Sequence, residues 1–225
     1  MKEYKWMENQ PIVRFNEIAR QVANKEYAKL LAYRLIKAGK LSRITRGTYS
    51  NSDDIFSIAS NLYFPGYLSG LSASYRYGLT EIIPITMSVV TTRKHKTIEY
   101  KNYQIEFVKS DEVWGYHKEG KNKDIVFIAD LEKLFIDAFL YPEQLGNFEE
   151  IKNIFKNAED IDVERVKSYL KKLKSNKVYR QVGYILEEYR DLDISSLIKI
   201  NKNYYSLDPF QKKRKALDKK WRLFI

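Results

Sequence analysis

The segment Phe15–Ser50 constrains the fold more than any other part of this chain. Asn16 offers an N-cap for a short helix over Glu17–Val22, and Asn24 offers one for a longer helix over Lys25–Ala38. An Asn side chain at such a position accepts a bond from an otherwise orphaned first-turn N–H. Gly39 follows where a left-handed residue ends a helix. Leu41–Thr45 and Thr48–Ser50 then flank Arg46-Gly47, a two-residue turn in which Gly takes positive φ, so they read as a hairpin. Helix, helix, hairpin is the layout of a winged helix-turn-helix, in which the second helix enters the DNA major groove. The spacing therefore predicts a DNA partner.

Charge points the same way. The chain carries a formal net charge of +11, which favours polyanionic partners without dictating a fold. Residues 1–50 hold eleven Lys/Arg against four Glu, so much of the excess sits on the expected DNA reader. On the expected third helix, Ala28, Leu31, Ala32, Leu35 and Ala38 share a core face at 100° per residue. Glu26, Lys29, Tyr33 and Lys37 lie opposite, with Arg34 at the edge and Leu30 among them. Solvation does not explain Leu30; it suits contact with a thymine methyl or packing against the first helix. Lys25, Lys29, Tyr33, Arg34, Lys37, Lys40, Arg43 and Arg46 are the candidate DNA contacts. Lys171, Lys172, Lys174 and the run Lys212, Lys213, Arg214, Lys215 are candidate secondary contacts with flanking phosphates.

Residues 2–9 suit a short opening helix that packs Trp6, and Ile12-Val13 suits a small extra strand. Asn51–Asp54 is polar and caps a helix to about Tyr63 with Ile55, Ile58, Ala59 and Leu62 on one stripe; the domain boundary is expected there, between 1–50 and 54–225. Pro65-Gly66 closes that segment, and Ser69–Tyr77 is a further helix ended by Gly78. Strands are expected at Ile85–Thr91, Gln104–Val108, Val113–His117 and Asp124–Ala129, forming a mixed sheet. Arg93-Lys94-His95-Lys96 is a basic cluster at a loop tip. After Asp130 the pattern turns helical, over Leu131–Leu140, Glu149–Asn157, Val163–Leu173 and Lys177–Tyr189, with short strands at Asn203–Leu207 and Trp221–Ile225. The expected class is α+β: an N-terminal winged helix-turn-helix followed by a larger mixed domain with a helical second half.

Catalytic signals are weak. There is no cysteine, which removes disulfides and thiolate metal sites and fits an intracellular protein. His95 and His117 lack metal-ligand spacing or a Ser–acid partner pattern, and no phosphate loop is present. Asp124…Asp130-Leu131-Glu132-Lys133 superficially evokes a nuclease. However, adjacent Glu132 and Lys133 in a helix's first turn point apart, and the simpler expectation is an Asp130 N-cap with Glu132 offsetting the helix dipole. No catalytic residue, metal or cofactor is expected. No apolar run reaches the roughly 18 residues of a membrane span, and the first residues lack a signal-peptide core, so a cytoplasmic protein is expected.

Several motifs carry a family resemblance. Pro65-Gly66-Tyr67-Leu68-Ser69-Gly70-Leu71-Ser72-Ala73, continued by Tyr77-Gly78-Leu79-Thr80-Glu81-Ile82-Ile83-Pro84, resembles the hallmark of AbiEi-type antitoxins, regulators associated with viral defence. Ile128–Lys133 with Asp137 resembles that family's second motif. Leu207-Asp208-Pro209 and Trp221-Arg222-Leu223 resemble its end, and Arg46-Gly47-x-Tyr49 its wing. The similarity covers nearly the whole chain. It implies a repressor that binds repeats in its own promoter and counteracts a nucleotidyltransferase-like toxin in the type IV manner, without a stable complex. The chain departs at Tyr77, where family members often carry His. The rival classes are a nucleic-acid- or nucleotide-processing enzyme targeted by a winged helix, and a stand-alone regulator whose second domain binds a protein. With no coiled-coil seam in the sequence, the expected state is a monomer, two copies of which bind inverted repeats.

Overall fold

The computed structural model describes residues 5–211 and 216–225. It is an α+β fold whose residues cluster into two compact units. The first comprises Met1–Leu68, Ile85–Val113 and His117–Ile128, and the second Ser69–Pro84, Trp114–Tyr116 and Ala129–Ile225.

The first unit opens with α1 (Lys5–Glu8), β1 (Ile12–Arg14), α2 (Phe15–Val22), α3 (Lys25–Lys37) and the hairpin β2 (Ser42–Thr45) and β3 (Thr48–Ser50). β3 is central, with β1 and β2 on its two sides. The extra strand expected at Ile12-Val13 is thus present, paired antiparallel with Tyr49 and Ser50. Met7, Val13, Ile18, Ala28, Leu31, Ala32, Leu35, Leu41 and Tyr49 are buried together, with Trp6 and Phe15 packed on them. Burying each large aliphatic side chain contributes about 1.5–3 kcal/mol, which gives this small module a core of its own.

One cap differs from expectation. Asn16 lies inside α2; the N-cap position is Arg14, whose backbone N–H donates to the Glu17 carboxylate at 2.7 Å. The helix starts earlier because Glu17, three residues in, satisfies that N–H.

The rest of the first unit is α4 (Ile55–Asn61) and a six-stranded sheet: β4 (Gly66–Leu68), β5 (Thr86–Thr91), β6 (Ile98–Tyr100), β7 (Tyr103–Lys109), β8 (Tyr116–Glu119) and β9 (Val126–Ala129), in the order β6-β7-β5-β4-β9-β8. Asp54 caps α4 as expected, accepting from Phe56 and Ser57 N–H. The sheet is mixed: β5 pairs parallel with β7 and antiparallel with β4. β4 and β6 were not foreseen. The strand expected at Val113–His117 begins only at Tyr116, because Gly115 has φ +69, a left-handed conformation outside the strand region. Asp124 likewise ends a 3-10 turn, Asn122–Asp124, before β9 begins.

The second unit is built on α5 (Gly70–Arg76), α6 (Leu131–Leu140), α7 (Phe148–Asn157), α8 (Val163–Leu173) and α9 (Asn176–Arg190), with short strands β10 (Tyr205–Ser206), β11 (Leu217–Asp218) and β12 (Leu223–Phe224). α6 packs against each of the other four helices. Every residue from Glu132 to Phe139 is buried, as befits a helix enclosed on all sides. Gly183 in α9 lets the six-membered ring of Trp221 approach the helix backbone closely: a Cβ there would stand 2.3 Å from the indole ring.

Candidate nucleic-acid interface

α3 is fixed at both ends by its own sequence. Asn24 accepts from Tyr27 N–H at 2.9 Å. At the other end Gly39, at φ +69, donates to the Ile36 carbonyl while Lys40 N–H donates to that of Leu35. Crossed bonds of this kind satisfy the last carbonyls only if the residue between turns left-handed. Ala28, Leu31, Ala32 and Leu35 are buried, which sets the rotation of the helix and turns Lys25, Lys29, Tyr33, Arg34 and Lys37 to solvent.

The hairpin presents the remaining cations. Gly47, at φ +75, allows the turn, and its carbonyl accepts from Phe15 N–H at 2.8 Å, which ties the turn to the start of α2. Lys40, Arg43 and Arg46 are exposed. All eight candidate contacts therefore lie on the surface of one module. Between Lys25 and Arg46 the chain has seven Lys/Arg and one acidic residue, Glu26. Lys29 lies 2.7 Å from Glu26, and its hydrogen bond, ahead of its charge, holds that carboxyl below the ordinary carboxylate range. Both side chains are more than half exposed, so this pair is weak and open to competition by a phosphate.

The cationic face also carries apolar groups. Tyr33 is 61% exposed, Leu30 44% and Tyr27 41%. Leu30 is not among the side chains packed on the module's core, so it stays available on the α3 face. Sequence reasoning did not single out Tyr27; the signal was its i, i+3, i+6 spacing with Leu30 and Tyr33.

Lys171, Lys172 and Lys174 are exposed at the end of α8, in the second unit, with Lys172 Nζ 4.6 Å from the centre of the Trp114 ring. Lys212, Lys213, Arg214 and Lys215 lie outside the described residues.

The acidic motif read as a helix cap is instead part of a buried polar cluster. Asp130 makes no side-chain cap bond; its carboxylate accepts the Tyr169 hydroxyl at 2.5 Å. Burial first, then that bond, pushes the Tyr169 phenol well above its usual range. Glu132 is buried and accepts from Asp162 N–H at 3.0 Å; it does not face solvent at the helix start. Lys133 is fully buried, ion-paired with Asp137 one turn on, and 4.8 Å from the Trp114 ring centre. Asp137 also accepts from Ser69 Oγ at 2.8 Å, and Tyr77 Oη donates to the Ala129 carbonyl at 2.6 Å. The segments Pro65–Pro84 and Ile128–Asp137 thus bond directly to each other. Among the described residues, no group of three or more His, Asp or Glu is placed to hold a metal ion, and no helix is long and apolar enough to cross a membrane.

The fold is similar to that in the crystal structure of the RV2827C protein from Mycobacterium tuberculosis, with a TM-score of 0.59 over 95% of this chain and 85% of that chain. The two sequences are 11% identical, so the likeness is one of fold. No protein-family model matches the chain, and no curated protein matches it.

Proposed function

We propose that Phe15–Ser50 is a winged helix-turn-helix that binds double-stranded DNA, with α3 in the major groove and the β2–β3 hairpin as the wing. The observation that carries this reading is the exposure of all eight candidate contacts on α3, the hairpin and the turn between them, opposite a closed apolar core. Lys25, Lys29, Lys37 and Lys40 hold phosphates and supply sequence-independent affinity. Tyr33, Arg34 and Leu30 face the base edges, where a planar guanidinium suits guanine and an apolar side chain suits a thymine methyl. Arg43 and Arg46 bring the wing to the backbone or minor groove.

On this reading the chain is a cytoplasmic, sequence-specific repressor of its own operon and the antitoxin of a type IV toxin–antitoxin pair. The antitoxin role rests on the AbiEi-type motifs; the Ser69–Asp137 and Tyr77–Ala129 bonds give their residues a shared structural purpose.

The test is a reporter driven by the chain's own upstream region, paired with co-expression of the neighbouring gene product. Repression that is lost in an Arg43→Ala/Arg46→Ala variant, together with rescue from a nucleotidyltransferase-like toxin, is the expected result. Repression without rescue would leave a stand-alone regulator. Turnover of nucleic acid or nucleotides with added divalent metal would replace the reading with an enzymatic one.

A further inference from the structure

The strongest unassigned feature of the first unit is the loop Thr92–Thr97 between β5 and β6. Arg93, Lys94 and Lys96 are exposed on it, and Lys109 is exposed at the end of β7, directly opposite Thr91. None of the four is in an ion pair among the described residues. His95, the one residue of the basic run that turns inward, stacks on Tyr63 with ring centres 3.6 Å apart and planes 8° from parallel; Phe107 meets both rings edge-on. Burial, then the charge of Arg93, keeps the His95 imidazole below its ordinary pKa, which suits a stacked neutral ring. An aromatic anchor at the middle of a short loop fixes the backbone and leaves the flanking cations projecting from it.

Two connections place this loop at the turn end of the hairpin. On the β1 side, Arg14 Nη2 donates to the Leu62 carbonyl at 2.5 Å. Arg14 pairs with Thr48, the first residue after the Arg46-Gly47 turn, and Leu62 immediately precedes the stacked Tyr63. On the β2 side, β6 lies against β2. The far end of β6 leads to Lys101, which reaches Asp53 at 3.6 Å, just beyond the open end of the hairpin. Strand β6 therefore runs alongside the hairpin with its start, and the loop that feeds it, toward the turn.

We infer that the Arg93–Lys96 loop, with Lys109, is a second DNA-binding element that extends the wing by gripping duplex phosphates beside it. Uncompensated cations on an anchored loop, next to a hairpin that ends in Arg46, match the regular phosphate charge of a duplex backbone. Lys and Arg in this arrangement position the protein without reading bases. The inference rests on the DNA-binding reading above.

The test compares the wild-type protein with an Arg93→Gln/Lys94→Gln/Lys96→Gln variant, which keeps side-chain bulk, and with Arg43→Ala/Arg46→Ala. Each is titrated by fluorescence anisotropy against a duplex from the chain's own upstream region and against a random duplex, over a series of salt concentrations. Unchanged circular dichroism and thermal midpoint establish that the loop variant is folded. The expected result is a loss of about 10–100-fold on both duplexes near 0.15 M salt. The salt slope should also fall by about 2–3, at roughly 0.9 per phosphate contact. Wild-type affinity and slope in the loop variant, while the wing variant loses binding, would overturn this inference and leave the DNA-binding reading standing. Loss on the upstream duplex alone would overturn the phosphate assignment. Failure of the wild-type protein to bind either duplex would overturn both.

Discussion

Replacing Asp137 by Ala takes the carboxylate away from a buried ammonium. Lys133 is fully enclosed, and its ammonium rests between the Asp137 carboxylate and the face of Trp114. The contact of the ammonium with the indole face is present before and after the substitution, so what changes is the buried pair, whose breaking costs about 3–5 kcal/mol. Ser69 Oγ loses its acceptor as well. A net loss of about 3–5 kcal/mol is expected, a large fraction of the roughly 5–15 kcal/mol that holds a typical domain together. The double replacement Lys133→Met/Asp137→Leu removes both charges and keeps the volume, so it should be less destabilised than Asp137→Ala alone. Urea denaturation followed by circular dichroism and tryptophan fluorescence measures the three stabilities. If Asp137→Ala falls within about 1 kcal/mol of wild type, or the double variant is less stable than Asp137→Ala, the buried pair does not carry the stability assigned to it. Toxin rescue by Asp137→Ala should decline with its folded fraction and recover at lower temperature, as a structural role requires.

Gly183→Ala should lower stability by about 1–3 kcal/mol in thermal denaturation, because a Cβ 2.3 Å from Trp221 outweighs the roughly 1 kcal/mol gain in helix propensity. The Asp193 carboxyl is held down at about 2, first by Ser195 N–H, then by the Ser195 hydroxyl and Lys220. Its folded value lies below the unfolded one of about 3.9, so its stabilisation is present above about pH 4 and is lost as the pH falls through 2. The thermal midpoints of wild type and Asp193→Ala should therefore differ slightly at pH 5–7, the side chain being half exposed, and converge between pH 4 and 2. In sedimentation the free protein should be a monomer, and a complete inverted repeat should give a two-step band shift; a tight dimer without DNA contradicts that arrangement.

Much of the first module was legible because its signals are local. Asn24, Gly39 and the Arg46-Gly47 turn each act within a few residues, and the 3.6-residue period of Ala28, Leu31, Ala32 and Leu35 separates core from surface unaided. What escaped depends on distant partners. Asp130 has the right residue type for a cap, but the Tyr169 hydroxyl, 39 residues on, takes its carboxylate. Glu132 and Lys133 look like surface residues in sequence and become buried because four helices close around α6. β4 and β6 are three residues each, too short for a period-two pattern to register. The interleaving of the two compact units along the chain also leaves no single composition shift to read. In the candidate interface, the cations were legible as charge and spacing, whereas the anchoring of the Arg93–Lys96 loop by Tyr63 required the fold.

The proposed DNA interface is α3 together with the hairpin. The most direct measurement is a hydroxyl-radical footprint of the upstream region with wild-type protein, repeated with Arg43→Ala/Arg46→Ala and with Lys29→Ala/Tyr33→Ala/Lys37→Ala. Two protected half-sites about one helical turn apart are expected. Each variant should need substantially more protein for protection, with Arg46 alone worth about 1–3 kcal/mol. Protection of the same region at the same protein concentration by both variants would place the DNA elsewhere on the molecule and contradict the account.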